Sequence, residues 1–299
     1  IAEKLELDIL PVLIHGTGYT MSKGDFLLKD GHITIKFLPR IKPGDLFFGV
    51  DYTERARFLG KYFRQQYAKL KEETEQPPYF RELLIYNYIY KGPVLEWYLR
   101  VKIRLEKDYL LFHELIPRQG LVLDMGCGYG FMSYMLHFAA PGRQILGYDY
   151  DEEKIAVASH CFSRNARIQF IHADINQIGP GRADAIILSD VLHYLQPAEQ
   201  EGMVRKCMES ICPGGVLLIR DGDRDLQKRH EATRMTEFFS TKFFKFNKTA
   251  GQALHFFSGE TIRNLARRHH MECRTLDPSS HNSNVVFVIT HPVKSYEKV

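Results

Sequence analysis

Apolar and polar positions follow three different rhythms along this chain, and each change of rhythm marks a part. In the first fifty residues two short apolar runs, Ile9–Ile14 and His32–Phe37, read as strands broken by Gly16, Gly18, Gly24, Asp30-Gly31 and Pro43-Gly44-Asp45. Asp30-Gly31 predicts a hairpin, because those two residue types accept the positive φ of a tight turn. Residues 52–110 then take up a helical spacing rich in aromatic and basic side chains. Glu75-Gln76-Pro77-Pro78 predicts a helix end there, since proline lacks the N–H that would continue the ladder. From residue 113 the pattern alternates between short apolar strands and amphipathic helices. The strands read as Leu121–Asp124, Ile145–Asp149, Ile168–Asp174, Ala185–Asp190, Val216–Asp221, Cys273–Leu276 and Val285–Thr290. Helices or loops long enough for right-handed crossovers separate the first five, among them Phe131–Ala140, Glu152–Asn165 and Ala198–Cys212. Pro197 stands where a helix opens, and Ser258 with Glu260 forms an N-terminal cap. Strands this short, with little alternation, suit a parallel sheet covered on both faces. The last two lie too close for a crossover and should pair antiparallel. The expected fold is a three-layer α/β sandwich with a mostly parallel seven-stranded sheet, a reversed final hairpin, and a small N-terminal strand/helix region.

Composition narrows the possibilities. A chain of 299 residues, 44% hydrophobic, can bury one full α/β core and a smaller second unit. Its net charge of +4 is modest and does not suggest a nucleic-acid binder. No apolar run reaches bilayer length and no signal-peptide pattern is present. Five scattered cysteines argue against a disulfide framework and for a reducing compartment. Cys207 and Cys212 fall into no zinc spacing, so no metal is expected. The chain opens at Ile1 inside ordinary protein texture, which reads as a piece of something longer or a processed chain.

The chemistry concentrates in Leu121-Val-Leu-Asp124-Met-Gly126-Cys127-Gly128-Tyr-Gly130, which runs from a strand into a helix. Glycines at such a turn let backbone approach a ligand where a Cβ would obstruct it. A dinucleotide loop reads G-x-G-x-x-G, whereas here the third glycine comes one residue early and Phe131 takes its place. Asp124, two residues before the first glycine, would repel a pyrophosphate but accept a cationic or zwitterionic ligand such as a sulfonium amino acid. Asp149 ends the next strand, placed to accept hydrogen bonds from two ribose hydroxyls, and Asp174 ends the one after, placed for an adenine amino group. Open α/β sheets bind ligands at this carboxyl end of their strands.

The ordered series Asp124–Gly130, Asp149, Asp174 resembles the motifs of class I S-adenosylmethionine methyltransferases, which have a Rossmann-like fold. Ala185-Ile-Ile-Leu-Ser-Asp-Val-Leu-His-Tyr-Leu195 resembles that family's fourth strand and following loop, and Pro213-Gly-Gly-Val-Leu-Leu-Ile219 its fifth-strand motif. The resemblance covers about 113–292. It implies S-adenosylmethionine as cofactor, held by Asp124, Gly126, Cys127, Gly128, Gly130, Asp149, Tyr150, Asp174, Ile175 and Asp190. Cys127 reads as a small packed residue rather than a nucleophile. An NAD oxidoreductase is disfavoured by Phe131 and Asp124, and a base methyltransferase by the absence of an Asn/Asp-Pro-Pro-Tyr motif.

Methyl transfer is an in-line displacement in which the protein positions the acceptor and excludes water. If the acceptor must lose a proton, Asp190, His193 and Asp221 stand at strand ends, and His255 lies before Ser258. His193 is the first choice as base, with Asp190 second. The sequence leaves O-, C- and N-methylation open, and a non-catalytic cofactor-binding module remains the alternative. Pro93–Asp108 places Val94, Trp97, Tyr98, Val101 and Leu105 at helical spacing, with Arg100, Arg104 and Lys107 elsewhere on the helix. It reads as a lid over an apolar acceptor, an interfacial helix against a membrane, or a helix packed on the sheet. Phe238-Phe239, Phe243-Phe244, Phe246 and His255-Phe256-Phe257 add aromatic side chains, which favour a hydrophobic or aromatic acceptor.

Ile9-Leu-Pro-Val-Leu-Ile-His-Gly-Thr-Gly-Tyr-Thr-Met-Ser-Lys-Gly24, with Leu28–Asp45 after it, resembles the late part of lysophospholipid acyltransferases. No histidine has an aspartate five residues on and no Glu-Gly-Thr-Arg occurs, so the likeness implies only a partial tail. The expected parts are 1–65 acyltransferase-like, 66–112 helical linker or lid, 113–292 methyltransferase, and 293–299 tail. That order resembles the carboxyl-terminal part of large bacterial proteins fusing a transporter, an acyltransferase and a methyltransferase. The resemblance implies a small-molecule or lipid-linked acceptor, no nucleic acid, and a cytoplasmic location beside a membrane within the parent protein.

Overall fold

A computed structural model describes residues 5–21, 23–24, 26, 28–45, 49–106, 108–227, 255–277 and 284–292. The chain forms two compact units, Ile1–Leu83 and Leu84–Val299. In the first, β1 (Val12–His15) pairs antiparallel with β2 (Thr34–Phe37), Val12 opposite Phe37 and His15 opposite Thr34. Helix α1 (Tyr52–Thr74) is capped by Asp51, whose carboxylate accepts the Glu54 N–H at 2.8 Å, and it ends just before Pro77-Pro78 as the prolines predict. It runs unbroken through residue 65. Leu13, Leu38 and Leu70 make the unit's small core, with Tyr62 and Phe63 against it. The expected Asp30-Gly31 hairpin turn does not form. The ladder closes at His15–Thr34, so residues 16–33 make a long connection. Gly31 is instead held tight by packing, since a Cβ on it would come 2.5 Å from Thr20 Cγ2.

The second unit opens with α2 (Arg81–Asn87), which begins in the first, followed by α3 (Pro93–Leu105) and α4 (Asp108–Leu115). Then come β3 (Gly120–Met125), α5 (Phe131–Ala139), β4 (Arg143–Asp149), α6 (Glu152–Ser159), β5 (Ile168–His172) and β6 (Ala183–Ser189). They are followed by α7 (Pro197–Ser210), β7 (Ile211–Gly222), α8 (Gly259–Arg268), β8 (Glu272–Leu276) and β9 (Asn284–Thr290). The seven strands lie in the order β5-β4-β3-β6-β7-β9-β8. Strands β3 to β7 pair parallel and β9 pairs antiparallel with both β7 and β8, as expected. This is the α/β, mostly parallel seven-stranded fold that the strand pattern predicts.

Local chemistry explains most element ends. Ser258 accepts the Glu260 N–H at 3.3 Å and starts α8, while the Glu199 carboxylate takes the Gln196 N–H at 2.8 Å and starts α7. Helix α6 stops at Ser159 rather than running to Asn165, because His160 Nδ1 pairs with the Ala156 carbonyl at 2.8 Å and Arg164 N–H turns back to Cys161. The middle of the sheet is apolar on both faces: Ala185, Ile186, Ile187, Leu217, Leu218, Ile219 and Phe287 are fully buried. Truncating such a phenylalanine to alanine costs about 3–5 kcal/mol.

Candidate functional site

Strand order reverses between β3 and β6, so the chain leaves their carboxyl ends in opposite directions and opens a crevice there. From β3 the chain enters the glycine loop, where Gly126, Gly128 and Gly130 take φ of 83°, 55° and 77°. The Gly126 and Cys127 N–H groups donate to the Tyr148 carbonyl at 2.7 and 2.9 Å, and Gly128 N–H donates to Asp149 Oδ2 at 2.8 Å. The three glycines differ in what surrounds them. A Cβ on Gly126 would strike Val191 at 2.4 Å and one on Gly130 would strike Phe170 at 2.6 Å, but one on Gly128 would meet nothing within 4 Å. The first and third glycines therefore serve packing, and the middle one leaves the loop open toward a ligand.

Asp149 is buried, and its other oxygen accepts the Asp151 N–H at 2.9 Å. Both oxygens keep a further lone pair. Tyr150 beside it is half exposed. Asp174 lies two residues beyond the end of β5, exposed, accepting from Asn176 N–H at 2.9 Å and Gln177 Nε2 at 3.1 Å, with Ile175 buried next to it. Asp124 is buried and its carboxylate accepts the Ser133 hydroxyl at 2.5 Å. Burial raises its pKa to about 6, Asp149 adding to the rise and the Ser133 hydrogen bond opposing it. Burial, with the charges of Asp124 and Asp149, also holds the Cys127 thiol well above its ordinary pKa, which removes the thiolate a nucleophile would need.

A second group forms where β6 and β7 end. Asp190 takes φ of 56°, a strained backbone for a residue with a Cβ, and its N–H donates to the Arg220 carbonyl at 2.8 Å. Its carboxylate is bound by the Arg220 guanidinium, which also reaches Asp108 at 2.5 Å and Glu106 at 3.3 Å; Glu106 pairs in turn with Lys102 at 2.7 Å. Burial opposes the charge on Arg220, but the three carboxylates outweigh it and keep the guanidinium firmly protonated. Next to this network, His193 Nδ1 lies 2.7 Å from Asp221 Oδ1, and Asp221 also accepts the His193 and Gly222 N–H groups. The ring packs between Tyr194 and Phe256, with centroids at 4.2 and 5.6 Å. Burial lowers the His193 pKa, but the hydrogen bond and charge of Asp221, helped by Asp190, raise it by more, so it stands above 6.5. His255 joins through its backbone, donating its N–H to the His193 carbonyl at 2.9 Å.

Tyr98 on α3 bridges the two groups. Its ring lies 6.5 Å from Tyr129 and 6.0 Å from Phe131, while its hydroxyl feels the charges of Lys102, Glu106 and Asp190. Burial is the largest influence on that hydroxyl and raises its pKa.

Against this geometry, a family model described as a methyltransferase domain matches residues 122–215, the stretch from β3 through the glycine loop to β7. That stretch of the chain is a methyltransferase domain. The match to trans-aconitate 2-methyltransferase of Yersinia pestis is 29% identical over 126 residues, covering 42% of this chain and 47% of that protein. The chain thus spans about half the length of the curated relatives it matches. Among solved structures, the pyocyanin biosynthetic protein PhzM is similar at a TM-score of 0.51 and 18% identity, over 70% of this chain and 62% of that one. Human N-acetylserotonin methyltransferase, solved in complex with S-adenosylmethionine, is similar at 0.50 and 16%, over 70% and 59%. These two likenesses show the fold of the methyltransferase domain.

The expected residues fall into two places. Asp124, Gly126, Cys127, Gly128, Gly130, Asp149 and Tyr150 sit together along β3, its loop and β4, with Asp174 and Ile175 beyond β5; Asp190 and His193 lie across the crevice on the β6 side. Lys102, Glu106, Asp108 and Arg220 join the site without belonging to any motif of the sequence. Arg220 had a signal: a cation in the otherwise apolar Val216–Ile219 strand must find buried partners. Of the second aromatic cluster, Phe238 through Phe246 lie outside the described residues, as does Lys107. Among the described residues no group of three His, Cys, Asp or Glu side chains is arranged to hold a metal ion, and no helix is long and apolar enough to cross a membrane.

Proposed function

We propose that the methyltransferase domain, residues 113–292 with α2–α4 as its lid, methylates a small or lipid-linked acceptor that is hydrophobic and aromatic at its reactive end. The observation that carries this reading is the His193–Asp221 pair at 2.7 Å, set among Tyr194 and Phe256 across the crevice from the glycine loop. S-adenosylmethionine, when bound, supplies an electrophilic methyl on a sulfonium. Asp124 and the backbone of Gly126–Gly130 hold the amino-acid end, with Gly128 giving the close approach that its open side supports. Asp149 would offer its remaining lone pairs to the ribose hydroxyls, and Tyr150, Asp174 and Ile175 would hold the adenine. Tyr98 from the lid and Asp190 after β6 would line the space between the two groups of residues.

His193 acts as the base. Asp221 accepts from Nδ1–H, which fixes the tautomer and leaves Nε2 as the acceptor nitrogen. A proton from an acceptor O–H or N–H passes to Nε2, and Asp221 stabilises the imidazolium formed. Asp190, bound to Arg220, is a weaker candidate for that proton and serves as a positioning residue.

The test is transfer of labelled methyl from S-adenosylmethionine to a panel of phenols and phenolic lipids, with His193→Ala alongside. Transfer that the variant reduces, with unchanged S-adenosylhomocysteine affinity, supports the reading; equal turnover in the variant removes His193 as base. Cofactor binding with no transfer to any acceptor supports the non-catalytic module instead. Residues 1–65 are read as the partial tail of an acyltransferase, a proposal that rests on sequence likeness and predicts no acyl transfer by this chain.

A further inference from the structure

Helix α3 turns one face to the site and a different one outward. Leu95 and Leu99 are buried, Lys102 and Glu106 join the Arg220 network, and together they define the inner face. The apolar spacing in the sequence belongs mostly to the other side. At 3.6 residues per turn, Trp97, Val101, Val94 and Leu105 fall into one stripe, bordered on one flank by Arg104 and Arg100. Trp97 is 61% exposed, Val94 58% and Leu105 54%, and Ile89 and Tyr90 just ahead of the helix are exposed at 39% and 86%. Glu96, the nearest acid, is bound by Arg100 at 2.8 Å, and Glu106 points inward. Glu96 offsets Arg100, and Arg104 leaves the border with a net positive sign.

We infer that residues 89–105 form a docking face for an anionic lipid surface. Tyrosine and tryptophan rings, apolar in body and polar at one edge, seat at the boundary between headgroups and acyl chains. Arginines along an apolar stripe attract anionic headgroups, and a headgroup plane answers a border of one sign at any rotation about its normal. The helix has 13 residues, short of the roughly 20 that span a bilayer, so it lies in the interface. Its inner face then holds the methyl site about one helix diameter, roughly 10 Å, from the lipid. This inference does not depend on the acceptor proposed above.

The chain contains one tryptophan, so Trp97 reports on its own surroundings. The experiment adds vesicles of phosphatidylcholine, with or without phosphatidylglycerol, to the full chain and follows Trp97 emission and its quenching by acrylamide. With phosphatidylglycerol present, emission shifts to the blue and quenching falls. Arg104→Gln weakens vesicle binding about fivefold, the share of one surface arginine, and Val94→Asp/Leu105→Gln abolishes the shift while leaving the urea midpoint in place. Unchanged emission with anionic vesicles overturns the inference, as does an equal shift with phosphatidylcholine alone. A shift that follows protein concentration without vesicles, or emission already blue and shielded in their absence, assigns the face to protein contact and overturns it too.

Discussion

Arg143, at the start of β4, is fully buried, and among the described residues it has no carboxylate in an ion pair with it. Its guanidinium instead ties off helix ends: Nε donates to the Pro117 carbonyl at 2.8 Å, Nη1 to Leu136 at 2.9 Å, and Nη2 to His113 at 3.0 Å and Ile116 at 2.7 Å. Nη1 also meets His113 Nδ1 at 3.1 Å. These carbonyls close α4 and α5, where the helix dipoles are negative, so the cation is held by oriented peptides. Burial, with Arg118 adding, lowers its pKa to about 10, which still leaves it charged at neutral pH. Arg143→Met keeps much of the volume, loses four hydrogen bonds to carbonyls and strands those of His113, Ile116 and Pro117, while Leu136 keeps the Ala140 N–H. At about 1.5–3 kcal/mol per hydrogen bond to a charged group the gross loss is about 6–12 kcal/mol. Release of an unpaired buried cation returns several kcal/mol, so the net loss is about 3–5 kcal/mol. Arg143→Lys, with three donors and no fork, should lose nearly as much. Urea denaturation followed by circular dichroism reads this as a lower midpoint at unchanged slope. A loss below about 1 kcal/mol would refute the reasoning. His113 gives an independent check. Burial first, then the charges of Arg118 and Arg143, push its pKa from 6.5 down to about 3. The unfolded chain takes up a proton below pH 6.5 that the native one refuses, so stability falls with pH from there, and less steeply in Arg143→Met.

Three further outcomes are expected. The turnover of the methyltransferase should rise with pH through the raised His193 pKa, and Asp221→Asn should move that limb to lower pH while slowing turnover; His193→Ala should cost about 10²–10⁴-fold, and an unmoved limb in a pH–rate profile counts against the pair. Gly130→Ala should destabilise the fold by about 1–3 kcal/mol through the Phe170 contact on top of backbone strain, read as a lower urea midpoint, whereas Gly128→Ala should cost about 1–2 kcal/mol of backbone strain alone and weaken S-adenosylhomocysteine binding in calorimetry. Arg220→Met leaves Glu106, Asp108 and Asp190 facing one another, costing about 3–5 kcal/mol; denaturation at neutral and acid pH should find the deficit smaller in acid, since burial already raises the Asp108 pKa.

The sheet was readable from sequence because each strand is short, apolar and separated by helical spacing, so the seven strands and the reversed hairpin follow from period and connection length alone. The glycine loop was readable because its residue types have few other uses at a strand-to-helix turn. What stayed hidden depended on partners distant in the chain. Asp30-Gly31 carries the right residues for a hairpin, but β1 and β2 pair further back and Thr20 fills the space beside Gly31. The facing of helix α3 stayed open in the sequence: the apolar period through Val94, Trp97 and Leu105 is real, yet the buried side runs through Leu95, Leu99 and Lys102, where Lys102 joins the Arg220 network. The ion network joins Lys102, Glu106 and Asp108 to Asp190 and Arg220, which no local pattern connects.

Cofactor binding tests the central claim most directly. Calorimetric titration of the full chain with S-adenosylhomocysteine, and separately with NAD, is compared with Asp149→Ala, whose lost carboxylate otherwise accepts from Gly128 and Asp151. We expect micromolar S-adenosylhomocysteine binding that the variant loses while its circular dichroism is retained, and no binding of NAD. Absence of S-adenosylhomocysteine binding in the parent chain, or binding of NAD in its place, would contradict it.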